Sequence, residues 1–251
     1  MNPFDLRGKV ALVTGANTGI GQGIALALAQ AGADIAALAR SEPTETLVQV
    51  RAVGRRAVWI DAEFGRAAPA ADIVARVVDA LAGLDILINN AGTIRRNDAL
   101  EFTESDWDDV IDVNLKAAFF LAQQAARHWV AQKSGGKIIN IASMLSFQGG
   151  IRVASYTASK SGLLGITRGL ANEWARHGIN VNAIEPGYFA TNNTDALRKD
   201  ENRNRDILAR IPAGRWGSPG DLGGAAVFLA SSAADYVHGA VLPVDGGWLA
   251  R

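Results

Sequence analysis

Cysteine is absent from the 251 residues, which removes disulfides, thiolate metal centres and cysteine nucleophiles from consideration. Histidine is scarce, and its three copies at 128, 177 and 238 are too widely separated to suggest a metal-ligand cluster. Neither sign of charge is in excess, because 25 basic residues balance 25 acidic ones. No basic face is therefore expected to recruit nucleic acid or an anionic membrane. No uninterrupted apolar run reaches membrane-spanning length, and the segment Met1 to Gly8 lacks the apolar core of an export signal. The expectation is a cytoplasmic protein without a metal.

Apolar side chains are plentiful, at 49%, enough for a sizeable core. They fall in short runs separated by longer helical patterns. Strands are expected at Lys9–Thr14, Ile35–Ala39, Ala57–Asp61, Asp85–Asn89, Lys137–Ile141, Ile179–Ile184 and Val241–Val244. Helices are expected at Gly19–Ala31, Thr44–Val53, Ala70–Ala82, Ala154–His177 and Pro219–Ser231. Thr103, with Asp106 three residues on, reads as the cap of a further long helix ending near Gly135. Strands rich in Val, Ile, Leu and Ala alternating with helices indicate an α/β fold. This is a single Rossmann-type, doubly wound parallel sheet of about seven strands over residues 1–251, with helices on both faces. In such a sheet ligands bind at the carboxyl ends of the strands. The polar stretch Asn192–Arg210 reads either as a solvated helix or as part of an insertion, residues 187–215, covering the substrate.

The turn after the first strand is Thr14-Gly-Ala-Asn-Thr-Gly-Ile-Gly21 and leads directly into a helix. Glycine lets the backbone approach a pyrophosphate, whose charge then meets the free N–H groups of the helix start. Gly15, Asn17, Thr18, Gly19, Ile20 and Gly21 are therefore candidate cofactor contacts. After the second strand an acid would bind a ribose 2′-hydroxyl, whereas an arginine accommodates a 2′-phosphate. Arg40 and Ser41 stand there and favour NADP over NAD, while Glu42 points the other way. Asp61 and Ala62, at the end of the third strand, are placed to meet an adenine. Asn89, Ala91 and Gly92 end the fourth strand, and Pro186, Gly187, Phe189 and Thr191 follow the sixth; both segments should line the cofactor cleft.

Tyr156 and Lys160 are four residues apart and share one face of a helix. A nearby ammonium favours a phenolate, which predicts that the phenol of Tyr156 is lowered toward the working range. Ser143 ends the fifth strand and can hydrogen-bond the same reacting oxygen. Asn114 is a poor helix former inside a helix, which suggests a buried polar task such as positioning a water near Lys160.

In this order, Thr14–Gly21, Asp61, Asn89–Gly92, Asn114, Ser143, Tyr156/Lys160 and Pro186–Thr191 resemble the short-chain dehydrogenase/reductase family across essentially the whole chain. The resemblance implies that Asn114, Ser143, Tyr156 and Lys160 are catalytic, that Lys160 also binds the nicotinamide ribose, and that the assembly is a homotetramer. The segments Ile94–Arg96, Ser143–Arg152, Gly187–Asn193, Ile211–Trp216 and Asp245–Arg251 are similar to the sugar-acid dehydrogenases of that family, which are usually NAD enzymes. Glu185 departs from the pattern, standing where the family generally has a small residue.

A sugar acid calls for guanidinium and amide donors at the pocket mouth. Arg95, Gln148, Arg152 and Asn192, with Ser143, form the expected substrate-binding set; Arg96 and Asn193 lie beside them. The competing readings are a gluconate 5-dehydrogenase, a 3-oxoacyl carrier protein reductase, and a cofactor-sensing scaffold without chemistry. Trp216 and Trp248 could belong to a lid or a subunit contact, although core packing is the commoner fate of tryptophan.

Overall fold

The computed structural model describes residues 2–65 and 70–251. Seven strands form one parallel sheet: β1 Val10–Thr14, β2 Asp34–Ala39, β3 Ala57–Asp61, β4 Ile86–Asn89, β5 Gly136–Ile141, β6 Ile179–Pro186 and β7 Val241–Val244. Their order in the sheet is β3-β2-β1-β4-β5-β6-β7, so the winding reverses between β1 and β4. All residues of β1, β2 and β6 are buried, as expected for strands whose two faces are both covered by helices.

One face is packed by α1 (Gly19–Gln30), α2 (Thr44–Ala52) and α9 (Gly223–Ala230), through Ile24, Leu28, Leu47, Val50 and Leu229. The other is packed by α3 (Ala70–Leu81), α5 (Ala117–Gln132) and α6 (Ala154–Trp174), through Ile73, Val77, Leu121, Trp129 and Leu170. The expected elements therefore form, with three differences of detail.

The helix capped by Thr103 is not uniform. Thr103 accepts the Asp106 backbone N–H at 3.1 Å and starts α4, Glu104–Ile111. The chain then widens into a π-turn over Asp112–Lys116 before α5 continues. An i→i+5 turn shifts the carbonyl pattern by one residue, a change that hydrophobic periodicity does not reveal. The second difference is that β6 extends two residues past the expected end, taking in Glu185 and Pro186. The third is that the charged stretch after β6 is mostly helical, with α7 at Asp195–Lys199 and α8 at Glu201–Arg210. Ile207 and Ile211 hold it to Met144 and Trp248, with Trp216 packed alongside. Both tryptophans are packing residues here.

Candidate active site

The glycine turn sits at the carboxyl end of β1, at the reversal of strand order. Gly15 and Gly19 have φ of +65° and +58°, a region that disfavours any side chain. A β-carbon on Gly21 would overlap the Gly15 carbonyl oxygen, so the loop closes on itself only with glycine there. Thr18 holds the N-cap position of α1 in extended conformation without a side-chain cap, leaving the first-turn N–H groups of α1 directed outward. Asn17 lines the turn half-buried, whereas Ile20 packs against the core.

The second amide of the Asn89-Asn90 pair braces this loop. Asn90 donates to the carbonyls of Thr14 (2.8 Å) and Gly15 (3.2 Å), and the backbone N–H groups of Asn90 and Ala91 reach Thr14 Oγ1, each at 2.9 Å. Asn89 turns the other way. Its amide donates inside the fold, to Asn140 Oδ1 at 2.9 Å and the Ala118 carbonyl at 3.2 Å, because successive side chains of a strand point to opposite faces. Its expected place in the cleft is thus corrected to the sheet interior. Gly92 lies next to Asn114, and Thr191 closes the far side of the turn, its Cγ2 3.3 Å from where a Gly19 β-carbon would be. Gly187 passes so close to Asp245 that a β-carbon there would clash with its backbone. Phe189 does not face the cleft, because its ring is buried in the core against Gly217.

Just past β2, Arg40 and Ser41 are exposed, and Arg40 lies 3.3 Å from Glu63 across open surface. Such an exposed pair is worth little and separates readily. Asp61 is exposed at the end of β3, with Ala62 beside it.

At the chemical end, Lys160 is buried and donates from Nζ to the Ile141 carbonyl at 2.6 Å, with Nζ 5.8 Å from the centre of the Tyr156 ring. Burial brings Lys160 down to about 8. The phenol of Tyr156 behaves contrary to the sequence expectation. Burial pushes it above its ordinary value, with the Ser143 hydroxyl and, after it, the Arg96 guanidinium acting in the opposite direction. The desolvation of the phenolate outweighs the Ser143 hydrogen bond and the Arg96 charge together.

Ser143 caps a short turn, accepting the Leu145 N–H at 3.2 Å, and Ser146 bridges that turn to the Lys160 carbonyl at 2.9 Å. The loop after β5 is thereby fixed to α6. The side chain of Asn114 is also occupied. It accepts from Thr93 N–H (2.8 Å) and donates to the Thr93 carbonyl (3.0 Å) and Ser159 Oγ (3.1 Å). It clamps the chain after β4 to the residue preceding Lys160.

The substrate-binding set is only partly gathered. Arg95 is held by Asp109 (3.0 Å) and Thr93 (3.1 Å). Arg152, at φ +64°, pairs with Asp98 on the surface at 3.1 Å. Gln148 accepts from Trp248 Nε1 at 3.1 Å, and Asn192 is exposed at the start of a 3₁₀ turn. The charge of Arg96, which lies beside Arg95 in the sequence, acts on the Tyr156 phenol. Asn90 and Arg96 are the two residues that spacing alone underrated, and alternation along an extended chain is the signal that distinguishes each from its neighbour. Among the described residues no group of three or more His, Asp or Glu could hold a metal ion, and no helix is long and apolar enough to cross a membrane.

A family profile described as enoyl-(acyl carrier protein) reductase matches residues 15–249. The 2-dehydro-3-deoxy-D-gluconate 5-dehydrogenase of Escherichia coli is 62% identical over 251 residues, which cover 100% of this chain and 99% of its own. The enzyme of the same name from Bacillus subtilis is 54% identical over 249 residues, 99% of this chain and 97% of its own. A crystal structure from Agrobacterium tumefaciens, assigned as a 2-deoxy-D-gluconate 3-dehydrogenase with bound NADP, superposes with a TM-score of 0.92 at 59% identity and full coverage of both chains. A gluconate 5-dehydrogenase from Burkholderia cenocepacia, in complex with NADP and tartrate, gives a TM-score of 0.92 at 39% identity, covering 100% of this chain and 98% of its own. The chain belongs to the short-chain dehydrogenase/reductase family and is an oxidoreductase.

Proposed function

We propose that the protein transfers a hydride between NADP or NAD and a hydroxy/keto sugar acid. The preferred substrate is 2-dehydro-3-deoxy-D-gluconate at its 5-position, and the second is 2-deoxy-D-gluconate at its 3-position. The observation that carries this reading is the Tyr156 ring lying 5.8 Å from the buried Lys160 ammonium, which is itself anchored on the Ile141 carbonyl at the end of β5, two residues before Ser143. The names of the relatives and of the NADP-bound neighbours support it.

The glycine turn fits a dinucleotide pyrophosphate, since it places a helix start without a side-chain cap beside a backbone turn that closes only with glycine at position 21. When bound, the nicotinamide supplies the acceptor or donor of the hydride. Lys160 is placed to hold the ribose, Thr191 and the turn from Pro186 to line the nicotinamide side, and Asp61 with Ala62 the adenine side. Arg40 leaves Glu63 for a 2′-phosphate, which makes NADP the preferred form. In the reducing direction the Tyr156 phenol donates its proton to the substrate oxygen while Ser143 hydrogen-bonds that oxygen. In the oxidising direction the phenolate takes the hydroxyl proton, an event the Lys160 ammonium favours. Arg96 holds the substrate carboxylate, and Asn114 positions α6 through Ser159. Residues 187–215 cover the substrate.

The enzyme acts in the cytoplasm as a homotetramer, a reading to which the exposed Trp107 and Phe120 on α4 and α5 lend an apolar contact surface. The test is the reduced-nicotinamide absorbance of purified protein with 2-dehydro-3-deoxy-D-gluconate, 2-deoxy-D-gluconate, gluconate and an acetoacetyl thioester, each with NADP and with NAD. The first substrate with NADP is expected to be fastest. Failure of every sugar acid would remove the substrate assignment.

A further inference from the structure

Glu185 has no part in the chemistry described above, yet it is fully buried near the carboxyl end of β6. Neither carboxyl oxygen has a hydrogen-bond partner among the described residues. A buried carboxyl group without donors is far better tolerated protonated than ionised.

The charged group that acts on it is Asp245, just past β7. Asp245 is committed to the C-terminal turn: Oδ1 accepts from the Gly247 N–H and Oδ2 from the Leu249 N–H, both at 2.8 Å. That turn carries Trp248, which donates to Gln148 on the loop after Ser143, packs its ring 4.8 Å from that of Tyr188, and lies 4.0 Å under the Arg210 guanidinium. The Asp245 backbone is pressed against Gly187, two residues beyond Glu185. Asp245 therefore links the buried acid to the wall of the site.

The other elements around β6 offer Glu185 no counter-charge. Lys160 on α6 directs its ammonium to the Ile141 carbonyl, and α9 carries no ionisable side chain. Lys137 on β5 pairs with Asp235, and Arg176 and His177 lie with it at the opposite end of the strand.

We propose that Glu185 is a positioning residue that, while protonated, leaves Asp245 free to pin the C-terminal turn, Gly246–Arg251, against the loop bearing Ser143. Once ionised, it repels Asp245 and loosens that turn. Burial first, and the Asp245 charge second, raise Glu185 to about 7, so the change falls within the ordinary working range. The kinetic consequence, weaker substrate binding above neutrality, rests on the sugar-acid reading. The structural consequence does not.

The test is hydrogen exchange of the peptide covering 245–251 at pH 6 and pH 8.5, corrected for the chemical exchange rate, in substrate-free wild type and in Glu185→Gln. Wild-type exchange should rise roughly tenfold between the two pH values while the variant stays level. In parallel, the wild-type KM for 2-dehydro-3-deoxy-D-gluconate should rise by about fivefold over the same interval with no matching change in kcat, and Glu185→Gln should remove that rise. Level wild-type exchange, or an equal rise in wild type and variant, overturns the proposal. If Glu185→Gln does not fold, Glu185→Ala replaces it, and the wild-type exchange comparison still decides. Altered exchange without turnover of any sugar acid would instead count against the substrate assignment alone.

Discussion

Along the amino edge of the sheet, ionised side chains are paired from strand to strand. Lys9 meets Asp85 at 3.0 Å, Lys137 meets Asp235 at 2.6 Å, and the buried Asp34 is held by Arg55 at 2.6 Å and Arg56 at 2.7 Å. Along the carboxyl edge, the buried Lys160 and Glu185 and the half-buried Tyr156 form no ion pair, and desolvation drives each toward its neutral form. Asp34 and Glu185 make the contrast most clearly. Both are buried acids on strands of one sheet, and burial acts to raise both, yet in the first it is overcome by hydrogen bonds and charge from Arg56 and Arg55, while in the second a neighbouring carboxylate adds to it. Pairing fixes protonation states and serves stability. Its absence leaves groups able to gain and lose protons, as proton-transfer chemistry requires.

Four changes would break or sharpen this contrast. The largest effect is expected for Gly21→Ala at the carboxyl edge, where a β-carbon would overlap the Gly15 carbonyl. The cost should be about 3 kcal/mol by denaturant unfolding, with dinucleotide affinity lowered roughly a hundredfold in a fluorescence titration. Unchanged affinity would show that the turn does not approach the cofactor.

Glu185→Gln comes next. Because the folded-state value of Glu185 lies above its ordinary one, its contribution to stability is fully present below about 4.5 and is lost as pH rises to about 7. Wild type should lose up to about 3 kcal/mol more than the variant across that window. Parallel curves would mean that the carboxyl group is not buried as described. Asp34→Asn should cost about 2 kcal/mol at neutral pH by leaving two guanidinium groups without their acid. Here the sign reverses: the lowered carboxyl stabilises above its ordinary value of 3.8, so the difference between variant and wild type should shrink as the solution is acidified through and below that value. A difference that persists in acid would point to lost packing instead. Arg96→Gln is expected to raise KM for the sugar acid about tenfold with little change in kcat, whereas Arg95→Gln, already engaged by Asp109, should do far less. The reverse ranking would return the carboxylate to Arg95.

The sheet was readable in the sequence because its strands are buried on both faces and so appear as unbroken apolar runs, Val10–Val13 and Ile86–Ile88 among them. The glycine turn was readable because φ above zero and close backbone approach select one residue type. What spacing could not supply was side-chain direction. Asn89 and Asn90 are chemically identical and point to opposite sides, and Arg152 is spent on a surface pair with Asp98. The π-turn at Asp112–Lys116 leaves the apolar pattern nearly unchanged. The phenol of Tyr156 was misjudged for a related reason. Its sequence neighbours reveal the cation four residues on, whereas the desolvation that raises the phenol comes from the assembled fold.

The most direct test of the contrast between the two edges is Tyr156→Phe, assayed for both cofactor binding and turnover of 2-dehydro-3-deoxy-D-gluconate. Nicotinamide dinucleotide affinity should stay within about twofold of wild type while turnover falls by roughly a thousandfold or more, since only the proton-transferring hydroxyl has gone. A variant that kept most of its rate would show that the proton reaches the substrate oxygen by another route, and the role assigned to the carboxyl edge would be wrong.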